Sequence, residues 1–231
     1  MAARYHKQQT VTLRGPPHGE FKRARSAEQK RQRMGEIKGA ARRQFDARPY
    51  HQITLTTIAG ELGWSRANLY KYVSTKEEIF LLVMADLRDA YTADLVDALG
   101  TPRALDASTA ARVWAQVAGR HRTYFRYGDL LYTVIETNVT VDKLEQFKRG
   151  YYAQLPEVRE RLSRGLGVRE ELVEQLVNTV YHHAVGLAGS CLNNPLVAQA
   201  VARLGIEPAH VDFEAQIEEF VLMCLTWYRA K

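Results

Sequence analysis

Apolar residues recur at spacings of three and four along almost the whole of this 231-residue chain, and no segment sustains the strict alternation of a half-buried strand. The pattern therefore predicts an all-α protein with no sheet. A first helix starts at Ser26, which with Gln29 resembles a capping box, and carries Met34, Ile37, Ala41 and Phe45 on one face before Pro49 ends it. Lys30, Arg31, Arg33, Lys38, Arg42 and Arg43 occupy its other faces. Two short helices share residues 54–76. Thr54 caps the first, Leu55, Ile58, Ala59 and Leu62 line its apolar face, and Gly63 supplies a left-handed stop. Ser65 caps the second, which runs from Arg66 to about Tyr72 and buries Leu69 and Val73. Helical spacing then holds without interruption over residues 77–99, a long connecting helix closed by Gly100, Thr101 and Pro102. Further helices are expected over 106–126, 128–138, 141–164, 169–190 and 212–229. Breaks are expected at Gly128, at 165–167, at 193–195 and at 205–208, with Pro156 inside a helix or just before a new one.

Charge divides the chain where the connecting helix begins. Residues 1–76 hold 16 Lys and Arg against 5 Asp and Glu, whereas residues 77–231 hold 16 against 21. Clustered cations suit a phosphate backbone, because each neutralised phosphate releases a counterion, although a solvated basic tail on an enzyme would read the same way by charge alone. Residues 1–25, with Arg4, Lys7, Arg14, Lys22, Arg23 and Arg25 around Gly15, Pro16 and Pro17, lack periodicity and are expected to form a mobile basic arm, solvated or laid in a minor groove. The domain division expected is 1–25 for the arm, 26–76 for a three-helix unit and 77–231 for a helical bundle.

The helix pair in residues 54–76 carries the chemistry. A second helix of this kind enters a major groove with its N-terminal side chains against base edges. Arg66 can donate two bonds to guanine, Asn68 can pair with adenine, and Ala67 can touch a thymine methyl group. Thr56, Tyr70, Lys71, Tyr72 and Lys76 are assigned to phosphates, as are the helix starts capped by Thr54 and Ser65.

Thr54, Ile58, Ala59, Gly63, Ser65, Leu69, Tyr70 and Lys76 together resemble the N-terminal domain of the tetracycline-repressor (TetR) family. The resemblance covers roughly the first third of the chain; Val73 stands where the family often has phenylalanine, and Trp64 where it has a smaller aliphatic residue. It implies a cytoplasmic transcriptional regulator, a repressor that binds double-stranded DNA, with an N-terminal helix-turn-helix domain joined by the connecting helix to a C-terminal domain for ligand binding and dimerisation. Family members bind phosphate through the tyrosine and lysine matching Tyr70 and Lys76, and they pair through their last two helices. Here that implies a homodimer through Leu172, Leu176, Val180, Ala184 and Leu187 on one helix and Ile217, Phe220, Val221, Cys224 and Tyr228 on the other. The family also encloses a small-molecule effector. The candidates for its pocket are Trp114, His121, Tyr124, Tyr132, Glu136, Tyr151, Tyr152 and His182, although aromatic residues at such spacing serve equally as ordinary core.

Other classes find less support. His121, Glu136, His182 and His183 are conceivable metal ligands, yet the paired Glu-x-x-His motifs of metal-binding bundles are missing, and the one such spacing, Glu207 to His210, contains Pro208. No metal, cofactor or catalytic residue is expected, and the alternatives are a metal-dependent helical enzyme or a non-specific DNA-binding protein. Cys191 and Cys224 sit in apolar helical stretches without ligand spacing, as reduced thiols or a redox pair. No stretch approaches the ~20 apolar residues of a membrane span.

Overall fold

The computed structural model describes residues 18–190, 195–207 and 211–231, with side chains described outside 18–26, 190 and 195–196. Ten α-helices and three shorter helical segments make up these residues, and no strand occurs among them. Helix α1 spans His18–Ala47, α2 Leu55–Glu61, α3 Arg66–Leu69 and α4 Lys76–Leu99. Behind them come α5 Ala107–Arg120, α6 Arg122–Leu130, α7 Val141–Leu166, α8 Glu170–Ser190, α9 Pro195–Arg203 and α10 Phe213–Arg229.

Several boundaries differ from the sequence expectation, and the helix expected over 106–126 is divided at His121 into α5 and α6. Helix α1 begins at His18, eight residues before Ser26, because the run from Glu20 to Arg25 is built of good helix formers with no breaker. The rest of the expected arm, residues 1–17, lies outside the described residues. Gly128 does not interrupt a helix but sits within α6, where any added Cβ would stand 2.5 Å from Val185 and 2.7 Å from the Tyr181 hydroxyl of α8. Its smallness lets α6 and α8 approach. The break falls instead after Leu130, where a π-helical turn, Leu131–Ile135, is followed by a 3-10 turn, Glu136–Asn138. Helix α9 has no counterpart in the sequence expectation, which places a break at 193–195; proline fits the first turn of a helix, where its missing N–H has no partner to lose. Cys191, Asn193, Asn194, Pro208 and His210 lie outside the described residues.

Helix α4 is the spine. Its first turns pack against α1, and its length lies against α5, α6 and α7, while α8 and α10 close the bundle from the far side. Thr75 caps it by accepting from the Glu78 amide at 3.2 Å, and Glu77 and Glu78 place negative charge at its N-terminus. Buried side chains run continuously from Ile37, Ile53, Ile58 and Leu69 in the small domain, through Phe80 and Met84, to Trp114, Phe125, Leu176 and Ile217. Each such burial contributes roughly 1.5–3 kcal/mol.

That core corrects the expected dimer face. Leu176, Val180, Ala184, Ile217, Val221, Cys224 and Tyr228 are all buried within the chain itself, with Leu172, Leu187 and Phe220 half-buried against them. Spacing finds an apolar stripe without saying which neighbour covers it. The outward side of α10 bears different residues: Leu222, Met223 and Trp227 are exposed, the last two by 60% and 50%. Among the described residues no helix is long and apolar enough to cross a membrane.

Candidate nucleic-acid interface and cavity

The reading helix is set by its caps and its core. The Thr54 hydroxyl accepts from the Thr57 amide at 3.1 Å and the Thr57 hydroxyl from the Thr54 amide at 3.0 Å, a reciprocal box at the start of α2. Gly63 turns the chain at a φ of 66°, and the Ser65 hydroxyl accepts from the Asn68 amide at 3.2 Å to start α3. Leu69 and Val73 are buried beneath it. In the free protein both hydroxyls accept from the backbone amides of their own helix starts.

A polar tie missing from the sequence reading fixes α1 on α2. Gln44, only 3% exposed, donates through Nε2 to the Thr57 carbonyl and to Glu61 at 2.9 Å each, and accepts from the Thr57 hydroxyl at 2.7 Å. Desolvation pushes the Glu61 carboxyl up, but the bonds from Gln44 and Arg43 outweigh it and hold the group below its usual range. A glutamine among charged neighbours on a helix gives no period-based sign of burial.

Arg66, Ala67, Tyr70 and Lys71 are exposed together with Thr56, while Asn68 and Tyr72 are half-buried. Arg66 is folded along its own helix. Its guanidinium donates to the Tyr70 hydroxyl at 2.8 Å and lies 5.3 Å from the ring centre. Tyr72 leans on Trp64 at 5.7 Å between ring centres, and Arg33 of α1 covers Trp64 at 5.2 Å, so the bulkier Trp64 joins all three helices of the small domain. Lys76 departs from its expected role. Its ammonium donates to the carbonyls of Tyr50 and Ile53 at 3.1 and 2.9 Å, and desolvation lowers its pKa. The Tyr50 carbonyl already accepts from the Ile53 amide at 3.1 Å, so Lys76 adds a second bond there and its ammonium is engaged by backbone carbonyls in the free protein.

A cavity of about 290 Å³ lies between α4, α6, α7 and α8. Of the pocket candidates, Tyr124, Tyr132, Tyr151, Tyr152 and His182 line it, together with Arg88, Tyr91, Phe147, Lys148, Glu174, Asn178 and Tyr181, for which the sequence offered no signal. A smaller pit of about 40 Å³ adjoins it beside Arg88 and Tyr151. Burial and the neighbouring Glu174 push Tyr151 up to about 12, and burial raises Tyr124 well above its ordinary value, so both remain hydroxyl donors at neutral pH.

Three candidates lie elsewhere. Trp114 is fully buried behind the wall and donates to the Tyr91 hydroxyl at 2.9 Å. His121 pairs with Asp94 at 2.7 Å, and Glu136 accepts from Lys148 at 2.5 Å. His183 faces away from the cavity, stacked on Phe220 with ring centres 3.7 Å apart. No group of three or more side chains able to hold a metal gathers among the described residues.

Cavity and reading domain meet through α6. Tyr124 faces the cavity, and three residues on Tyr127 packs against Phe45 of α1 and Phe80 of α4, with ring centres 4.1 and 5.8 Å apart. Arg126 reaches Asp46 of α1 at 3.3 Å.

A capped helix pair with an exposed arginine and a half-buried asparagine, carried on a long helix that roots in a separate bundle, defines a helix-turn-helix protein. Residues 37–83 match the bacterial regulatory proteins of the tetR family, and residues 83–231 match the tetracyclin repressor-like C-terminal domain. The chain belongs to the tetracycline-repressor family and is a DNA-binding transcriptional regulator. Among solved structures it is similar to a transcriptional regulator of the TetR/AcrR family from Thermobifida fusca YX-ER1, at 15% identity and a TM-score of 0.49 over 86% of this chain and 99% of that one. It is also similar to a protein from Streptomyces coelicolor A3(2), at 15% identity and a TM-score of 0.48 over 85% and 96%. Comparison with curated proteins returned no match.

Proposed function

We propose that this regulator is a ligand-responsive repressor that binds a palindromic operator as a homodimer. Arg66 and Asn68 read bases with Ala67 against a thymine methyl, while Thr56, Tyr70, Lys71, Tyr72 and the two capped helix starts hold phosphates. Reading requires Arg66 to leave Tyr70, an exposed and inexpensive exchange of partners. One four-residue helix buries little, so two half-sites about 34 Å apart, or a multiple of that, supply the affinity. The pairing surface is the exposed side of α10, with Met223 and Trp227 at its centre, beside α8. No catalytic role is assigned to the chain.

The observation that carries the ligand response is the placement of Tyr124 and Tyr127 on one short helix, the first in the cavity wall and the second on Phe45. An effector that prefers one setting of α6 would tilt α4 and alter the separation of the two reading helices. Selection of bound fragments from genomic DNA, followed by footprinting and transcription from the neighbouring promoters with and without the protein, tests the whole reading. A footprint without dyad symmetry rejects the dimer, and transcription that falls when the protein is removed rejects repression.

A further inference from the structure

We infer that the cavity takes an aromatic carboxylate of about two fused rings, a reading that rests on the proposed effector role of that cavity. Its walls are aromatic. Tyr124 stacks with Tyr91 and tilts against Tyr181, each at 5.2 Å between ring centres, and Phe147 and Tyr151 face them across the space. An apolar cavity of ~150 Å³ takes one benzene ring, so 290 Å³ suits about two.

The polar groups of the wall mostly donate. Arg88 is the buried charge, with a side chain 9% exposed, and its carboxylate partner Asp89 stands outside the cavity and half exposed. Arg88 donates through Nε and Nη2 to Asp89 and through Nη1 to the Phe147 carbonyl at 3.1 Å, and a guanidinium carries more N–H groups than these three contacts use. The buried Tyr181 hydroxyl sits with the hydroxyls of Tyr124 and Tyr132, a polar cluster on the same wall. Lys148, at the rim, is held by Glu136.

Charged acceptors are fewer. Glu174 accepts from Arg159 and from the Tyr151 hydroxyl at 3.3 Å, Asn178 adds a neutral amide, and His182 stands exposed at the mouth. A ligand that supplies an anionic acceptor therefore completes this wall, whereas an amine would meet Arg88 and Lys148 with no free carboxylate to receive it. Planar rings give the tyrosines a stacking partner while the carboxylate reaches Arg88.

Titration calorimetry of the full chain with 2-naphthoate, 2-naphthamide and 2-naphthylmethylamine tests the class without any mutation. The acid is expected to bind at least tenfold more tightly than the amide, and the amine most weakly. In Arg88→Gln the acid should lose at least tenfold and the amide less than threefold; should that variant fail to fold, the comparison on the native chain decides alone. An amide or amine that matches the acid, or no heat from any of the three, overturns the inference. Naphthoate that binds as expected but leaves operator affinity unchanged at saturation instead removes the effector role and leaves the ligand class standing.

Discussion

The ammonium of Lys76 lies 4.0 Å from the centre of the Tyr50 ring and donates to the Tyr50 carbonyl at 3.1 Å, while the Tyr50 hydroxyl donates to Glu77 at 2.9 Å. Two adjacent residues in the first turn of α4 thus hold one tyrosine at the end of α1. Lys76→Met is expected to cost about 2 kcal/mol of stability, since hydrogen bonds to charged groups are worth ~1.5–3 kcal/mol each and relaxation recovers part. Chemical denaturation measures this. The slope of log affinity for DNA against log salt should be unchanged, because no phosphate charge is lost; a slope shallower by ~1.8, ~0.9 for each subunit of the dimer, would show a phosphate contact instead.

Arg66→Ala should weaken binding to the selected operator by about 1–3 kcal/mol per half-site, roughly 5- to 150-fold for each, and relax preference at one base position in each half-site. Random duplex should change far less. Titration of both duplexes at one salt concentration checks this, and equal losses on the two would assign Arg66 to the backbone.

Gln44→Leu keeps the volume of its site approximately and strips its bonds, leaving the Thr57 carbonyl without its side-chain partner. A loss of ~1–3 kcal/mol in urea denaturation is expected. The Glu61 part has a pH signature. Its folded pKa lies below the unperturbed 4.5, so its contribution is complete above that value and is lost as pH falls through the folded value. Glu61→Gln should be slightly less stable than the native chain at pH 7, by well under ~1 kcal/mol at so exposed a site, and the gap should close once pH has fallen through the folded value. A gap that persists there would place the effect outside ionisation.

An added Cβ at Gly60 meets nothing within 4 Å, and the position lies in the last turn of α2. Gly60→Ala should therefore stabilise by ~0.5–1 kcal/mol, raising Tm by a few degrees for a chain of this size. Thermal unfolding checks it. Unchanged operator affinity would show that DNA does not press on this residue.

Met223→Asp combined with Trp227→Asp should yield folded monomers in sedimentation, with operator binding lost. Val180→Asp, placed in the core of the same chain, should unfold the protein rather than dissociate it. Dissociation without unfolding in the Val180 variant would return the interface to the inner stripe.

Element type and order were legible because period, caps and glycine stops are local signals, and Thr54, Ser65 and Gly63 act as written. Five of the residues that line the cavity could be named from their aromatic type alone, but type does not say which aromatic side chains turn to the cavity and which, like Trp114, to the core. What stayed hidden depends on partners distant in sequence. Leu176 and Ile217 carry the same pattern whether covered by their own bundle or by a second copy. Lys76 offers no sign that a turn more than twenty residues earlier will claim its charge. Gly128 reads as a breaker until the helix it must admit is in place.

The contact of Tyr127 with Phe45 and Phe80 has one more consequence under the proposed switch. Separating those two ring pairs costs about 1–3 kcal/mol, which a ligand can supply only through its preference for the separated arrangement. Tight binding and effective release from DNA are then independent properties. Compounds that fill the cavity without disturbing α6 would act as antagonists, occupying the regulator while the genes beneath it stay silent.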